Sequence, residues 1–538
     1  MAQLLRYSLA VAIVLVGRQS LRSDEPAQKP DSLPQGAMAR LGTSRFLNFG
    51  RLFSLAFSPD GKVLVGGGWD GTLRLWEVAS GKELYLFQET KGPVLAVAFS
   101  PDGSLFASDG KNSEIVVRET ATGKEVRRLK GHRNPVSFIA FSPDGKLLAS
   151  NAHDRTLRLW DVAEGREIRR LSIQDSPKQV SDPSCPIAFT RDGKTVVSAT
   201  FDSGINNPAT RTFRVWNVAT GAEVRSFPDD SLWHGPIAFS PSNGVLAVAA
   251  GVVRGQPPRI SLWDVENGTA LPPIDIGQPK QFTILTSLVF SPDGKMLASS
   301  DGGLIQLWEV ATRRETGQLA PPENGAACLA FSPSGRLLAS SSTDTSAILW
   351  DITGHMQSGT LPAAKLSPRE CQALWDDLGG PNPSKARQAL WAMVAADGES
   401  VAFLQSHLHP ATSPASDQAI AQLVADLNSP EFKTRAKASA QLIQLAEIAE
   451  PALLQAQKNH PSLELRRRID QLLKAIVELR IKPTEERLRS WRGVEILEQI
   501  NTPQARELLR SLSKGAAGAM LTREAQASLA RMERKATH

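Results

Sequence analysis

Residues Leu129 to Val162 read LKGHRNPVSFIAFSPDGKLLASNAHDRTLRLWDV, and the punctuation of this stretch decides the fold. VSFIAF alternates apolar and polar side chains as a half-buried strand does, SPDG is a tight turn, and KLLAS and RTLRLW are a second and a third strand. Proline presets the backbone at the first turn corner and glycine supplies the positive φ at its end. With the following REIRRL strand they make one four-stranded antiparallel sheet. A sheet with two apolar faces cannot bury both alone, so it must stack against copies of itself.

The copies are present. The phenylalanine before the first turn recurs at Phe57, Phe99, Phe141, Phe189, Phe239, Phe290 and Phe331, spaced by 42, 42, 48, 50, 51 and 41 residues. The third strands end in Trp76-Glu77, Val117-Arg118, Trp160-Asp161, Trp216-Asn217, Trp263-Asp264, Trp308-Glu309 and Trp350-Asp351. That makes seven units.

The segment 44–352 resembles the WD-repeat β-propeller family in its period and its Gly-His through Trp-Asp signature. The resemblance implies an all-β seven-bladed propeller. It also implies a hydrogen-bonded tetrad within a repeat, onto which His132, Ser150, Asp154 and Trp160 map. Ser198, Asp202 and Trp216 keep three members without the histidine, as do Ser340, Asp344 and Trp350. The fifth repeat has GVVRGQPPRI where the aspartate turn belongs. By the same resemblance a leading strand, SRFLNF at 44–49, becomes the outer strand of the last blade and closes the ring, which removes exposed sheet edges.

Insertions mark one face. The turns within SPDG and around VASGK lie on one rim and are short. The opposite rim swells at 171–186, 202–212, 251–259 and 271–284, mostly over blades four and five. Loops on a rigid scaffold are where binding resides, although lengthening a loop is also well tolerated. In WD-repeat proteins the residue before each turn aspartate faces that rim. Trp69, His153 and Phe201 are the candidates for a partner contact here, with Trp233 in the loop entering blade five.

Residues 1–23 read as an export signal, with Arg6 before the apolar run LAVAIVLVG at 9–17, too short to span a bilayer as a stable helix. If uncleaved, the segment would tether the chain to a membrane. Export implies a periplasmic or cell-envelope bacterial protein, the alternative being cytoplasmic. Residues 24–43, rich in proline, serine and charge, read as a flexible leader.

After Ile352 the texture changes. A linker at 353–366 leads to Ser367-Pro368-Arg369-Glu370, a helix start with a capping serine, a first-position proline and a glutamate three residues after the cap. Residues 367–538 read as an all-α domain resembling HEAT-like hairpins, for instance 431–457 and 501–532. Leu465, Ile469, Leu472, Leu473 and Ile476 share one helical face, as do Ala436, Ala440 and Ile443. The Arg466–Arg468 run lies between Glu464 and Asp470 and reads as a solvated face with local ion pairs.

Charge and chemistry narrow the function. Sixty-one Lys and Arg against 55 Asp and Glu give +6, a mild excess without the clustering of a nucleic-acid binder. Cys185, Cys328 and Cys371 are too dispersed for a disulfide framework and read as small buried hydrophobes. The sequence has no phosphate loop, zinc helix or nucleophile elbow. His407 and His409, two apart, point to different sides of a helix and make a poor metal pair. No cofactor or metal is called for. The expectation is a noncatalytic scaffold that binds protein through the loop-rich propeller face, with the helical tail as a second surface. A glycan- or peptide-binding propeller and an enzyme with a site assembled across blades stay open.

Overall fold

The computed structural model describes residues 33–42, 51–171, 179–181, 187–202, 211–229, 235–242, 244–250, 258–277, 285–321, 327–342, 346–356, 361–412, 415–459, 462–481 and 483–536. Seven antiparallel sheets arise from the seven repeats. In blade three the strands Val136–Phe141, Leu147–Ala152, Leu157–Asp161 and Arg166–Leu171 pair in order from the axis outward. The first strands of neighbouring blades lie side by side around that axis, Leu52–Phe57 between Val97–Phe99 and Leu329–Phe331.

The turn chemistry repeats with the sequence. Ser142 Oγ donates to Asp144 Oδ1 at 2.5 Å, Lys146 N donates to the same oxygen at 3.1 Å, and Gly145 takes φ +70°. Equivalent Ser–Asp or Thr–Asp bonds form at Asp60, Asp102, Asp192 and Asp293. Between blades the apolar faces close on one another, as where Ala107 and Val117 meet Leu148 and Trp160.

Two departures from the sequence reading have physical causes. The ring is closed by Ala37–Leu41, which pairs antiparallel with Ala347–Asp351 in the register Ala37↔Trp350 to Leu41↔Ala347. It is therefore part of the 24–43 leader, and not 44–49, that completes blade seven; residues 43–50 lie outside the described residues. Leu41 is fully buried between blades seven and one, and that burial fixes which leader strand pairs. In blade five, Thr269–Asp275 is the outer strand, paired with Arg259–Asp264, so the swelling expected from 271 begins only after Asp275.

Ten helices follow among the described residues: α1 (Pro368–Gly379), α2 (Pro383–Ala395), α3 (Asp397–His407), α4 (Asp417–Asp426), α5 (Phe432–Leu445), α6 (Glu450–Lys458), α7 (Leu463–Ile481), α8 (Glu485–Ile500), α9 (Pro503–Leu512) and α10 (Met520–Ala536). The Ser367 hydroxyl accepts from Glu370 N at 3.3 Å while Glu370 accepts from Ser367 N at 2.8 Å, a reciprocal cap at the start of α1. The helices share two cores. Trp375, Leu390, Trp391, Leu404, Leu497 and Leu509 join α1–α3 to α8–α10, whereas Ile420, Leu442, Leu453, Ile469 and Ile476 hold α4–α7. The connectivity is nested, because α8 returns to pack on α1 and α2.

The first helical bundle is docked on the propeller. Helix α2 lies along the outer strand of blade six, Arg314–Leu319, and Arg314 Nη1 donates to Pro381 O at 2.8 Å. Arg492 of α8 grips Glu309 through two bonds of 2.8 and 2.7 Å, both side chains being buried. Lys295, the residue after the blade-six turn glycine, sits 3.1 Å from Glu524 and 3.7 Å from Glu495, with Trp491 beneath it at 5.1 Å. From blade seven Arg336 Nη2 donates to Gln499 O at 3.1 Å. These contacts all lie on the rim carrying the SPDG turns, so the helices dock opposite the loop-rich face.

Candidate functional site

On the loop-rich rim each side chain is aimed by the turn between the second and third strands. In blade one this turn is Gly68–Gly71. Asp70 Oδ1 accepts from Thr72 N at 3.0 Å and Thr72 Oγ1 at 2.6 Å, and Gly71 takes φ +77° beneath the Thr90 carbonyl, where a Cβ would be only 2.3 Å from that oxygen. Trp69 N donates to Arg51 O at 2.8 Å, which ties the turn to the inner strand. The Trp69 indole stands 48% exposed, leaning on Phe53 with ring centroids 5.3 Å apart. A rigid turn thus holds a large aromatic outward at the start of the innermost strand.

His153 is exposed on the corresponding turn of blade three, and its carbonyl accepts from Asn134 Nδ2 at 3.3 Å. Arg133 and Arg155 are exposed beside it. Phe201 sits differently. An inserted strand, Gln179–Ser181, pairs with the end of the long strand Thr195–Asp202, setting Phe201 opposite Val180 on one side and Arg211 on the other. Phe201 and Asp202 therefore continue a strand ladder past the level at which blades one and three turn. Trp233 falls outside the described residues. Trp69 and His153 are the two candidates whose side chains are described at this rim.

Beneath His153 the four mapped side chains are joined. His132 Nδ1 lies 3.0 Å from Asp154 Oδ2, His132 Nε2 lies 2.7 Å from Ser150 Oγ, and Trp160 Nε1 donates to Ser150 Oγ at 2.8 Å. Burial opposes ionisation of Asp154, but bonds from His132, Thr156 and Arg133 N outweigh it and hold the carboxyl well below the usual range. Other blades keep fragments: the indoles of Trp216, Trp308 and Trp350 donate to Ser198, Ser299 and Ser340. In blade one Gly66 occupies the serine position, and a Cβ there would meet the Trp76 ring at 2.9 Å.

Blade two replaces the network. Arg118 stands where the tryptophan belongs, pairs with Glu89 at 2.6 Å and lies 4.6 Å over Phe87. Behind it Asp109 accepts from Leu95 N and Ala96 N at 2.9 and 3.0 Å, and burial pushes its carboxyl up to about 7. The Val117-Arg118 ending hinted at this replacement, but nothing in the local pattern named Glu89 as its partner.

Among the described residues no group of three or more His, Cys, Asp or Glu side chains could hold a metal ion, and no helix is long and apolar enough to cross a membrane. Cys328 and Cys371 are buried free thiols. His407 stacks on Phe403 with centroids 3.9 Å apart.

A family model for the WD40 repeat (WD domain, G-beta repeat) matches residues 48–77, 81–117, 123–161, 278–309 and 316–351. The β-domain is a seven-bladed WD40-repeat propeller. Blades four and five, which carry the longest insertions, fall between the matched segments. Such propellers are generally noncatalytic scaffolds for protein–protein interaction. No curated protein matches the chain.

Proposed function

We propose that the chain is a noncatalytic scaffold that binds a protein partner through the loop-rich face of the propeller. The observation that carries this reading is Trp69: a large aromatic, about half exposed, held by a rigid turn on the rim that the helices leave uncovered among the described residues. Aromatic anchors on preorganised backbones supply much of the binding energy of protein interfaces, because little conformational entropy is lost when they are covered. His153, with Arg133 and Arg155, supplies a polar and cationic surround on blade three. Replacing Trp69 by alanine should reduce partner capture at least about tenfold while leaving the thermal midpoint nearly unchanged, since its ring lies on the surface. Unfolding of that variant would place Trp69 in the core and remove the reading's support.

The same proposal takes residues 1–23 as an export segment and the mature chain as an envelope protein. Sequencing the N-terminus of the protein isolated from its own cells reads this directly; a start at Met1 or Ala2 contradicts cleavage.

A further inference from the structure

We propose that the outer face of α5 is a docking site for an acidic amphipathic helix of a partner protein. The helix, FKTRAKASAQLIQL, buries Ala438, Leu442 and Leu445 against α4 and α7. Its opposite side carries Phe432, Ala436, Ala440 and Ile443, spaced to form one stripe at helical period. That stripe is open to water: Phe432 is 74% exposed, Ile443 39%, and both alanines are exposed. One-turn spacing of the two alanines makes a shallow saddle between two large side chains, into which another helix can settle closely.

The charges on α5 are equally one-sided. Lys433, Arg435 and Lys437 fall within its first turns, and its fourteen residues include no carboxylate. Cations at a helix N-terminus oppose the helix dipole, and Lys433 and Lys437, one turn apart, repel each other. Arg435 is partly satisfied by the Ser429 and Pro430 carbonyls, at 2.8 Å each. Lys433 and Lys437 are exposed and make no ion pair among the described residues.

Departures from local consistency of this kind concentrate at functional surfaces. A partner helix with an apolar stripe flanked by carboxylates relieves the exposed stripe and the repelling cations together. A second copy of α5 would instead set lysine against lysine. A lipid surface would gain little, because two of the four stripe residues are alanine. The α4–α7 core keeps the platform rigid, and ion pairs from Arg487 to Glu447 and Arg523 to Glu450 tie it to the first bundle.

The test is fluorescence anisotropy with the full chain and a labelled helical peptide of about five turns, leucines along one stripe and glutamates on both flanks. A companion peptide carries lysines in place of the glutamates. The acidic peptide should bind with an affinity that falls as salt rises, and the lysine peptide should not bind. The double variant Lys433→Glu, Lys437→Glu and the variant Phe432→Ala should each weaken binding at least about tenfold, with Leu86→Ala on the exposed outer strand of blade one as an unaffected control. All these side chains are exposed, so unchanged circular dichroism and thermal midpoints are required of each variant. Absence of binding, equal binding of both peptides, or variants that bind like the parent overturn the proposal. So does co-sedimentation with phosphatidylglycerol vesicles without peptide binding, and so does a concentration-dependent dimer abolished by Phe432→Ala.

Discussion

Ser150 shows how much one hydroxyl can organise. It meets both the His132 ring and the Trp160 indole, whereas Ser198 meets Trp216 without a matching histidine. Ser150→Ala leaves two buried polar groups unpaired and should cost about 2–4 kcal/mol, against about 1–2 kcal/mol for Ser198→Ala. Urea midpoints measure the difference, and equal losses would contradict it. Asp109 gives a pH signature. Its carboxyl, normally near 3.8, is raised to about 7 by burial. Its contribution is therefore fully present below pH 3.8 and is lost as pH rises through 7, because only the unfolded chain ionises readily across that window. Asp109→Asn should flatten the stability profile between pH 4 and 7 and raise stability at pH 8; an unaltered profile would show that the group is not neutral in the fold. Lys295 marks the limit of reading residues locally. It occupies the same place after a turn glycine as Lys62, Lys146 and Lys194, which are all exposed, yet it is buried against Glu524 and Glu495. Nothing in the turn motif distinguishes it, because its partners lie about 200 residues further along the chain. Against the cost of burial, those acids keep its amine charged.

At the scale of elements, the strands and turns were legible because most blades repeat the same local chemistry, with a Ser–Asp or Thr–Asp turn bond in blades one to four and six and a Trp–Ser bond in blades three, four, six and seven. The α1 start was legible for a similar reason, since Ser367, Pro368 and Glu370 are contiguous. Pairings fixed by distant partners were not. Ala37–Leu41 is too short to announce a strand, and the open edge of blade seven together with the burial of Leu41 selects it. The spacing of the repeat places Phe201 in a turn, whereas the inserted strand Gln179–Ser181, without a counterpart in the other repeats among the described residues, extends its ladder. The face shared by Ala436, Ala440 and Ile443 has proper helical spacing, but it points outward while Ala438 and Leu442 point in; spacing identifies a stripe and not what covers it. The Arg492–Glu309 pair is the element-scale prediction. Arg492→Ala strands a buried carboxylate and should cost about 3–5 kcal/mol, while Arg492→Met combined with Glu309→Leu should cost less than either single change to alanine. A double-variant loss equal to the sum of the singles would show that the two side chains act independently.

At the scale of the whole molecule, the helical region is packed onto the propeller. Its first bundle grips blades six and seven through Arg492, Lys295, Arg314 and Arg336, on the rim of short turns. This leaves the loop-rich rim, with Trp69 and His153, uncovered by the helices among the described residues, and it gives α4–α7 a fixed base. The two arms of the account make separate predictions: loss of the Arg492 clamp should weaken docking of the helices without abolishing binding at the loop-rich face, and loss of Trp69 should do the reverse. The most direct measurement is affinity capture from an extract of the protein's own cells, using the parent chain, Trp69→Ala and Leu86→Ala, each verified as folded and read by quantitative mass spectrometry. The account predicts a protein retained by the parent and by Leu86→Ala and lost from Trp69→Ala. A protein retained equally by all three, or no protein retained by the parent, would contradict it.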